Sequence, residues 1–506
     1  MTSAERPGRV VIVGGGIAGL AAAFFLRDVG ADVLVLEGSQ RIGGKLAVSE
    51  VAGIAVDEGA EALLARRPEG TALIGDVGLS GQLVYPGTTT SGIWSRGQLH
   101  ALPGRQFMGV PADLDEVERS GILSAAGMAR ARQDTVLAAT HRDGDVSVAR
   151  HVGARFGAEL VERLVDPLLG GVYAGRSDQL SFEATLPSLA GESRKHAALS
   201  DAARALLGPP AVPGAPAPVP GAPAPVFTTL AGGLGTLPAA LAQRSGAVVR
   251  TGAMARELAR TTHGWRLTVG SARAPEHIDA SAVVLAVPAR PASRLLAGAG
   301  QAGAAAGAAL AEIGYASMAI VTLAYPAAAF PGPVTGSGYL VPAVDGRPVK
   351  AVTFSTVKWP HLAGQRGPRH EHLAAGAAAL HLVRCSIGRI GEELVLQRDD
   401  AELTALAAAD LAAATGVTGP PVASRVSRWG GGLPQYSVGH LSRVRLIREN
   451  VAALPGLAVC GAAYDGIGIG ACIASARLAA DRVLAYARAS AAAWTCGAAL
   501  GADAGQ

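Results

Sequence analysis

"RVVIVGGGIAGLAAAFFLRDVGADVLVLEGSQRIGGK", Arg9 to Lys45, decides how the rest of the chain is read. Arg9 to Val13 is a short apolar strand, and Gly14, Gly16 and Gly19 follow in G-x-G-x-x-G spacing. Leu20 to Val29 is an apolar helix, and Asp32 to Leu36 a second strand ending at Glu37. Gly14 permits a tight turn, Gly16 lets the backbone approach a pyrophosphate, and Gly19 lets helix and strand pack closely. Gly15, Ile17 and Ala18 complete the turn, whose unpaired N–H groups and helix dipole favour an anion. Glu37, about 20 residues on, is placed to accept hydrogen bonds from a ribose diol, with Gly38 behind it. Such a turn alone is weak evidence. Strand, glycines, helix, strand and acid in this order indicate a bound dinucleotide, and leave NAD and FAD both open.

The chain has 506 residues, about twice the length at which single cores stop growing, so several lobes are expected. Hydrophobic residues make up 49%, and with 67 Gly and 30 Pro the excess reflects compositional bias. The net charge of +4 is spread without a block of like charges, which argues against nucleic acid as a partner. "MTSAERPGR" has no apolar targeting core, so a cytoplasmic protein is expected. The uncharged stretch Ile313 to Val344 is broken by Pro326, Pro331, Pro333 and Pro342 and reads as strands and turns. Cys385, Cys460, Cys472 and Cys496 have no metal-ligand spacing and read as buried reduced thiols; no metal is expected.

The expected fold is α/β with several lobes, its cofactor domain assembled from 8–53, 226–294 and 425–487. An inserted substrate-binding domain is assigned to 54–75, 176–205 and 295–424, with strands around Ile320, Val352 and Leu382 and a helix from Asp400 to Ala414. A helical subdomain is assigned to 76–175 from apolar spacing such as Leu114, Val117, Ile122 and Met128. The Pro/Ala-rich tract, 206–225, reads as a mobile insertion, and 488–506 as a frayed tail.

Just past Glu37, "RIGGK" continues the pattern with R-x-G-G. Here the chain resembles the FAD-dependent amine oxidase and desaturase superfamily, which favours FAD and implies a Rossmann-like fold of the amine-oxidase type. Gly43 and Gly44 allow a second close backbone approach, and Arg41 or Lys45 adds positive charge near the pyrophosphate. Farther along, "DPLLGGVYAGRSDQLSFEATLPSL", "TLAGGLGTLPAAL", "VKWPHLAG", "RWGGGLPQYSVGHLSRV" and "CGAAYDGIGIGACI" resemble segments of the protoporphyrinogen and coproporphyrinogen oxidases of haem synthesis. The P-Q-Y-x-V-G-H form at Pro434 to His440 is most similar to the Gram-positive branch, which oxidises coproporphyrinogen III to coproporphyrin III. Three departures stand out. Ala60, Glu61 and Ala62 follow Gly59 where the family commonly has P-x-S, Arg176 replaces an acid, and Gly470-Ala471-Cys472 replaces P-D-C.

The resemblance implies that FAD carries the electron transfer and the protein positions the substrate, so no catalytic side chain is assigned. It implies cofactor contacts at Gly59, Ala60, Glu61, Ala62, Met254, Trp429, Gly461, Ile467, Gly468 and Ile469, the last group leading into a helix from about Ala471. A substrate with four propionates asks for guanidinium or ammonium partners, and Arg66, Arg67, Arg176 and Lys358 are the candidates. Tyr173 and Tyr436 read as core aromatics and His440 as a hydrogen-bonded structural histidine. The implied partners are the porphyrinogen, molecular oxygen and a ferrochelatase as the next enzyme, with membrane contact at most peripheral. Rival readings are protoporphyrinogen IX as substrate, a flavin amine oxidase, a carotenoid desaturase and a non-catalytic flavin-binding protein. The amine oxidase is disfavoured because Gly466 to Gly470 stands where an aromatic signature belongs and Ala316 to Tyr325 holds no lysine.

Overall fold

The computed structural model describes residues 8–29, 31–140, 143–208, 226–363 and 379–502, so nearly all of the Pro/Ala-rich tract lies outside the described residues. Strand Val10–Val13 is buried throughout and pairs in parallel with Val33–Leu36 on one side and Ala282–Leu285 on the other. Val248–Arg250 and Leu457–Val459 complete a five-stranded parallel sheet at its two edges. Central strands covered on both faces need side chains that are apolar throughout, which is why these segments lack polar alternation. One face carries helix α1 (Ile17–Phe25) and the long C-terminal helix α2 (Ile469–Ala502), packed through Leu20, Phe24, Ile473 and Ala476. The opposite face carries an antiparallel sheet, Ala255–Thr261, Gly264–Ser271 and Ala274–Ala280, with helices Ala289–Leu296 and His440–Ala452.

A parallel sheet fed by separated segments delivers their next residues to one edge. Gly14, Glu37, Thr251, Ala286 and Cys460 each follow one of the five strands. The loops are laced there: Gly14 N–H donates to Leu36 C=O, Ala286 N–H to Val13 C=O, and Cys460 N–H to Leu285 C=O. α1 starts at Ile17, three residues before the sequence reading, and yields after Phe25 to a short 3-10 turn, Arg27–Val29. α2 runs on through Ala502, correcting the expectation of a frayed tail from 488. Its alanine-rich end has high intrinsic helix propensity and prolongs a helix already nucleated on the core.

A seven-stranded sheet, in the order Ala423–Pro434, Tyr315–Pro326, Leu380–Ile387, Val349–Phe354, Gly338–Leu340, Gly92–Ser95 and Gln98–Ala101, forms the second body. Helix Asp400–Thr415 covers one face of it, one residue longer than read from the sequence. Four expected domain assignments change. Residues 92–101, placed in the helical subdomain, form the last two strands at one end of this sheet. Residues 425–434, placed in the cofactor domain, belong to its opposite edge. Helix Pro68–Asp76, placed in the substrate domain, packs through Leu73 and Ile74 on the α1/α2 core. Residues 176–205 supply Phe182, Leu189 and Leu199 to the helical cluster. Local periodicity gives an element's type, while long-range pairing chooses the body it joins.

The helical cluster is held from inside by a buried ion pair. Asp134 is 0% and Arg155 2% exposed, with Arg155 Nε 2.6 Å from Asp134 Oδ1. Asp134 also accepts from Leu199 N–H (3.1 Å), Ser200 N–H (2.8 Å) and the Ser200 hydroxyl (2.7 Å). Asp134→Ala would leave a buried guanidinium and two N–H groups without their acceptor, costing about 3–5 kcal/mol. Chemical denaturation should show that loss; a variant within about 1 kcal/mol of the parent would contradict it.

Candidate cofactor and active site

The first glycine loop is built so that only backbone occupies it. Gly14 has φ +110°, and a Cβ there would lie 2.5 Å from Ala286 O. A Cβ on Gly19 would lie 1.8 Å from Gly14 O, whereas one on Gly16 would meet no atom within 4 Å. Gly16 begins α1 in extended conformation and no side chain caps the first turn, so its N–H groups remain available to an anion. Glu37 turns back to this loop, accepting from Gly15 N–H at 2.7 Å and Ser39 N–H at 2.8 Å. Its carboxylate is thus held at the loop with lone pairs left for a diol. Met254 lies over Gly38: a Cβ on that glycine would be 2.6 Å from the methionine methyl.

The R-x-G-G segment seats directly on the first loop. Gly43 N–H donates to Gly15 C=O at 2.8 Å, and a Cβ on Gly44 would stand 3.4 Å from Gly16 Cα. Gly59 completes the wall, because a Cβ there would fall 2.2 Å from Lys45 O and 3.1 Å from the Trp429 ring. Trp429 donates its indole N–H to Glu58 C=O at 3.0 Å, and the Arg41 guanidinium sits 5.8 Å from the centre of its ring. Four stretches separated in sequence therefore converge here: 14–16, 41–45, 58–62 and 429.

The second glycine loop closes the opposite side. Gly461 N–H donates to the Ser475 hydroxyl, and a Cβ on Gly461 would be 3.8 Å from Ala18 Cβ. Ile467 packs toward the helical cluster and Ile469 into the α1/α2 core, leaving Gly468 between them with open space at its Cβ position. α2 begins at Ile469, two residues before the expected start. Lys45, beside Cys472 of its first turn, has a pKa lowered by burial, and its side chain makes no hydrogen bond or ion pair to a described residue. A desolvated cation without an ion-pair partner, two helix N-termini and walls made largely of glycine backbone fit an elongated anionic cofactor with a flat ring.

The substrate candidates separate sharply. Arg176 lies flat against Asp178, with contacts of 3.2 and 3.0 Å, on the surface. Lys358 is paired instead with Glu61: Nζ to Oε1 is 2.6 Å, with both side chains largely buried. Arg384, which the sequence reading did not single out, also binds Glu61 and donates to Gly59 C=O at 2.6 Å. Glu61 and Lys358, expected on cofactor and substrate respectively, thus meet each other in a triad behind the Gly59 wall. Burial alone would raise the Glu61 pKa, but the charges of Lys358 and Arg384 prevail and hold it at about 2. Asp57 nearby is pushed up to about 6 by burial, although Leu234 and Gly235 donate to it. Arg66 and Arg67 remain exposed and without an ion pair to a described residue, and the Arg67 Cβ lies 3.2 Å from a Cβ position on Gly470. Cys385, Cys460 and Cys472 are buried and unbridged, as read; the Cys496 side chain lies outside the described residues. Among the described residues no cluster of metal-ligating side chains occurs and no helix is long and apolar enough to cross a membrane.

The model of the flavin-containing amine oxidoreductases matches residues 17–484, and the chain belongs to that family. Its cofactor is FAD, and it is an oxidase. It is 36% identical to the coproporphyrinogen III oxidase of Mycobacterium tuberculosis H37Rv, covering 94% of this chain and 98% of the relative. The coproporphyrinogen III oxidase of Bacillus subtilis 168 is 29% identical with the same coverage. A putative protoporphyrinogen oxidase from Exiguobacterium superposes with TM-score 0.79 at 29% identity, over 94% of this chain and 98% of the other. A putrescine oxidase, at 17% identity and TM-score 0.64 over 94% and 99%, shares the fold.

Glu61 gives a test by pH. Its pKa is lowered on folding from 4.5 to about 2, so its stabilisation is fully present above pH 4.5 and is lost as pH falls through about 2. Glu61→Gln should cost about 3 kcal/mol near neutral pH and remove most of this acid limb from the unfolding profile. An unchanged acid limb in the variant would contradict the triad.

Proposed function

We propose that the protein oxidises coproporphyrinogen III to coproporphyrin III in haem biosynthesis. The observation that carries this reading is similarity over nearly the whole length, 98% of the M. tuberculosis enzyme, to relatives with that activity. Six hydrogens leave the porphyrinogen in three pairs, each as a hydride and a proton, and three molecules of oxygen become hydrogen peroxide. FAD supplies the two-electron acceptor chemistry for each pair. Gly14, Gly15, Gly16, Ile17, Ala18, Gly19, Glu37, Gly38, Arg41, Gly44, Lys45 and Met254 would hold its dinucleotide part. Gly59, Ala60, Ala62, Trp429, Gly461, Ile467, Gly468 and Ile469 would frame its ring.

The protein's work is then orientation and charge. The α2 N-terminus would favour negative charge developing on the ring without a charged side chain of its own. The Glu61–Lys358–Arg384 triad fixes the Gly59 wall to strand Leu380–Ile387 through the Arg384 bond to Gly59 C=O. Arg66 and Arg67 are the propionate ligands we favour, because the other two candidates already have carboxylate partners. A cytoplasmic location, contact with membranes at most peripheral, and delivery of the product to a ferrochelatase belong to the same proposal. Protoporphyrinogen IX, with two propionates, is the alternative substrate.

The purified yellow protein should generate porphyrin fluorescence from coproporphyrinogen III faster than from protoporphyrinogen IX; the reverse order would overturn the substrate assignment. Arg67→Ala should raise KM for coproporphyrinogen about tenfold while leaving kcat within about threefold and FAD bound. An unchanged KM would remove Arg67 from the propionate site.

A further inference from the structure

Tyr436 lies outside both glycine loops, in P-Q-Y-x-V-G-H, and is 2% exposed. Its hydroxyl donates to Ala462 C=O at 2.7 Å and accepts from Gly466 N–H at 2.8 Å, bridging the turn that leads into α2. Gly466 has φ +140°, a conformation few other residues adopt, so this turn is conformationally demanding at its last residue.

The phenol itself is held from elsewhere. Its ring stacks on His440, centroids 3.9 Å apart and planes 14° from parallel, and tilts against Tyr173 at 5.7 Å. The His440 ring is fully buried and lies within reach of the Tyr464 backbone, a structural histidine that supports the stack. The neighbouring backbone is sewn to the helical cluster. Gln435 Nε2 donates to Tyr173 C=O at 2.8 Å, Ser181 N–H to Tyr436 C=O at 2.8 Å, and Gly439 N–H to Asp145 at 2.8 Å. Ile467 packs into the same cluster.

We propose that Tyr436 is a positioning residue whose hydroxyl transmits the placement of the helical cluster to the second glycine loop and so aims the α2 N-terminus at the flavin. The loop's own side chains do not supply this: between Ala462 and Gly466, the Tyr436 hydroxyl is the group that takes both a loop carbonyl and a loop N–H. The consequence is an electrostatic one, since displacing a helix N-terminus from a developing anion weakens its stabilisation.

The test uses Tyr436→Phe as the FAD-loaded enzyme, which keeps the ring and the His440 stack and removes the two hydrogen bonds. Anaerobic reduction in equilibrium with a reference dye should shift about tenfold toward oxidised flavin, about 30 mV for a two-electron couple. With coproporphyrinogen, kcat should fall about tenfold and KM stay within about twofold. Loss of FAD from a protein with unchanged far-UV circular dichroism would also support the positioning role. A dye equilibrium and FAD retention equal to the parent's, with only a lowered unfolding midpoint, would overturn it, as would a chain unable to fold without the hydroxyl. The dye measurement needs no porphyrinogen, so its outcome is separate from the substrate assignment.

Discussion

The hydrogen bond from Gly43 N–H to Gly15 C=O, 2.8 Å long, is the contact on which the site depends. It brings two stretches of bare backbone together, and Gly59 then closes against Lys45 C=O and the Trp429 ring. Side chains at these places would collide with backbone, which does not give way as a flexible side chain would. The groove is therefore made mainly of peptide groups and helix ends, which carry direction and partial charge without bulk. Charged side chains stand behind it. Glu61, Lys358 and Arg384 lock the wall from the rear, and Glu37 is tied to the loop it serves.

This division suits an oxidase whose difficult chemistry resides in its cofactor. Reacting atoms must be brought close, and the charge that develops must meet dipoles already in place. The two glycine loops share that work unequally. The first presents the N-terminus of α1 at the edge of a sheet whose three central strands are buried on both faces; the second is aimed by contacts with the helical cluster. The cofactor groove and the helical cluster are accordingly one mechanical system, joined through residues 435–439.

What the sequence made legible was local backbone demand. Gly14, Gly16 and Gly19, the acid at Glu37 and the run through Gly43 and Gly44 each state a steric or hydrogen-bonding requirement within a few residues of themselves. The same holds for the turn before α2, although its first helical residue is Ile469. The Glu61–Lys358–Arg384 triad was not legible, because its members are separated by 297 and 323 positions and meet only through the pairing of strand Leu380–Ile387 in the second sheet. A single arginine among the mainly apolar residues of "LHLVRCSI" was the available signal, since a charge in a buried strand needs a partner. Strands Gly92–Ser95 and Gln98–Ala101 are short and lie in a stretch assigned as helical, so their membership in the sheet is decided by neighbours far along the chain.

On the proposed function, this groove takes electrons from a porphyrinogen in three two-electron steps. Anaerobic titration of the FAD-loaded protein with coproporphyrinogen III tests it most directly, by following flavin absorbance and porphyrin formation together. Bleaching of about three flavins for each porphyrin formed is the predicted result. Flavin absorbance that stays constant while the porphyrinogen is present in excess would contradict it.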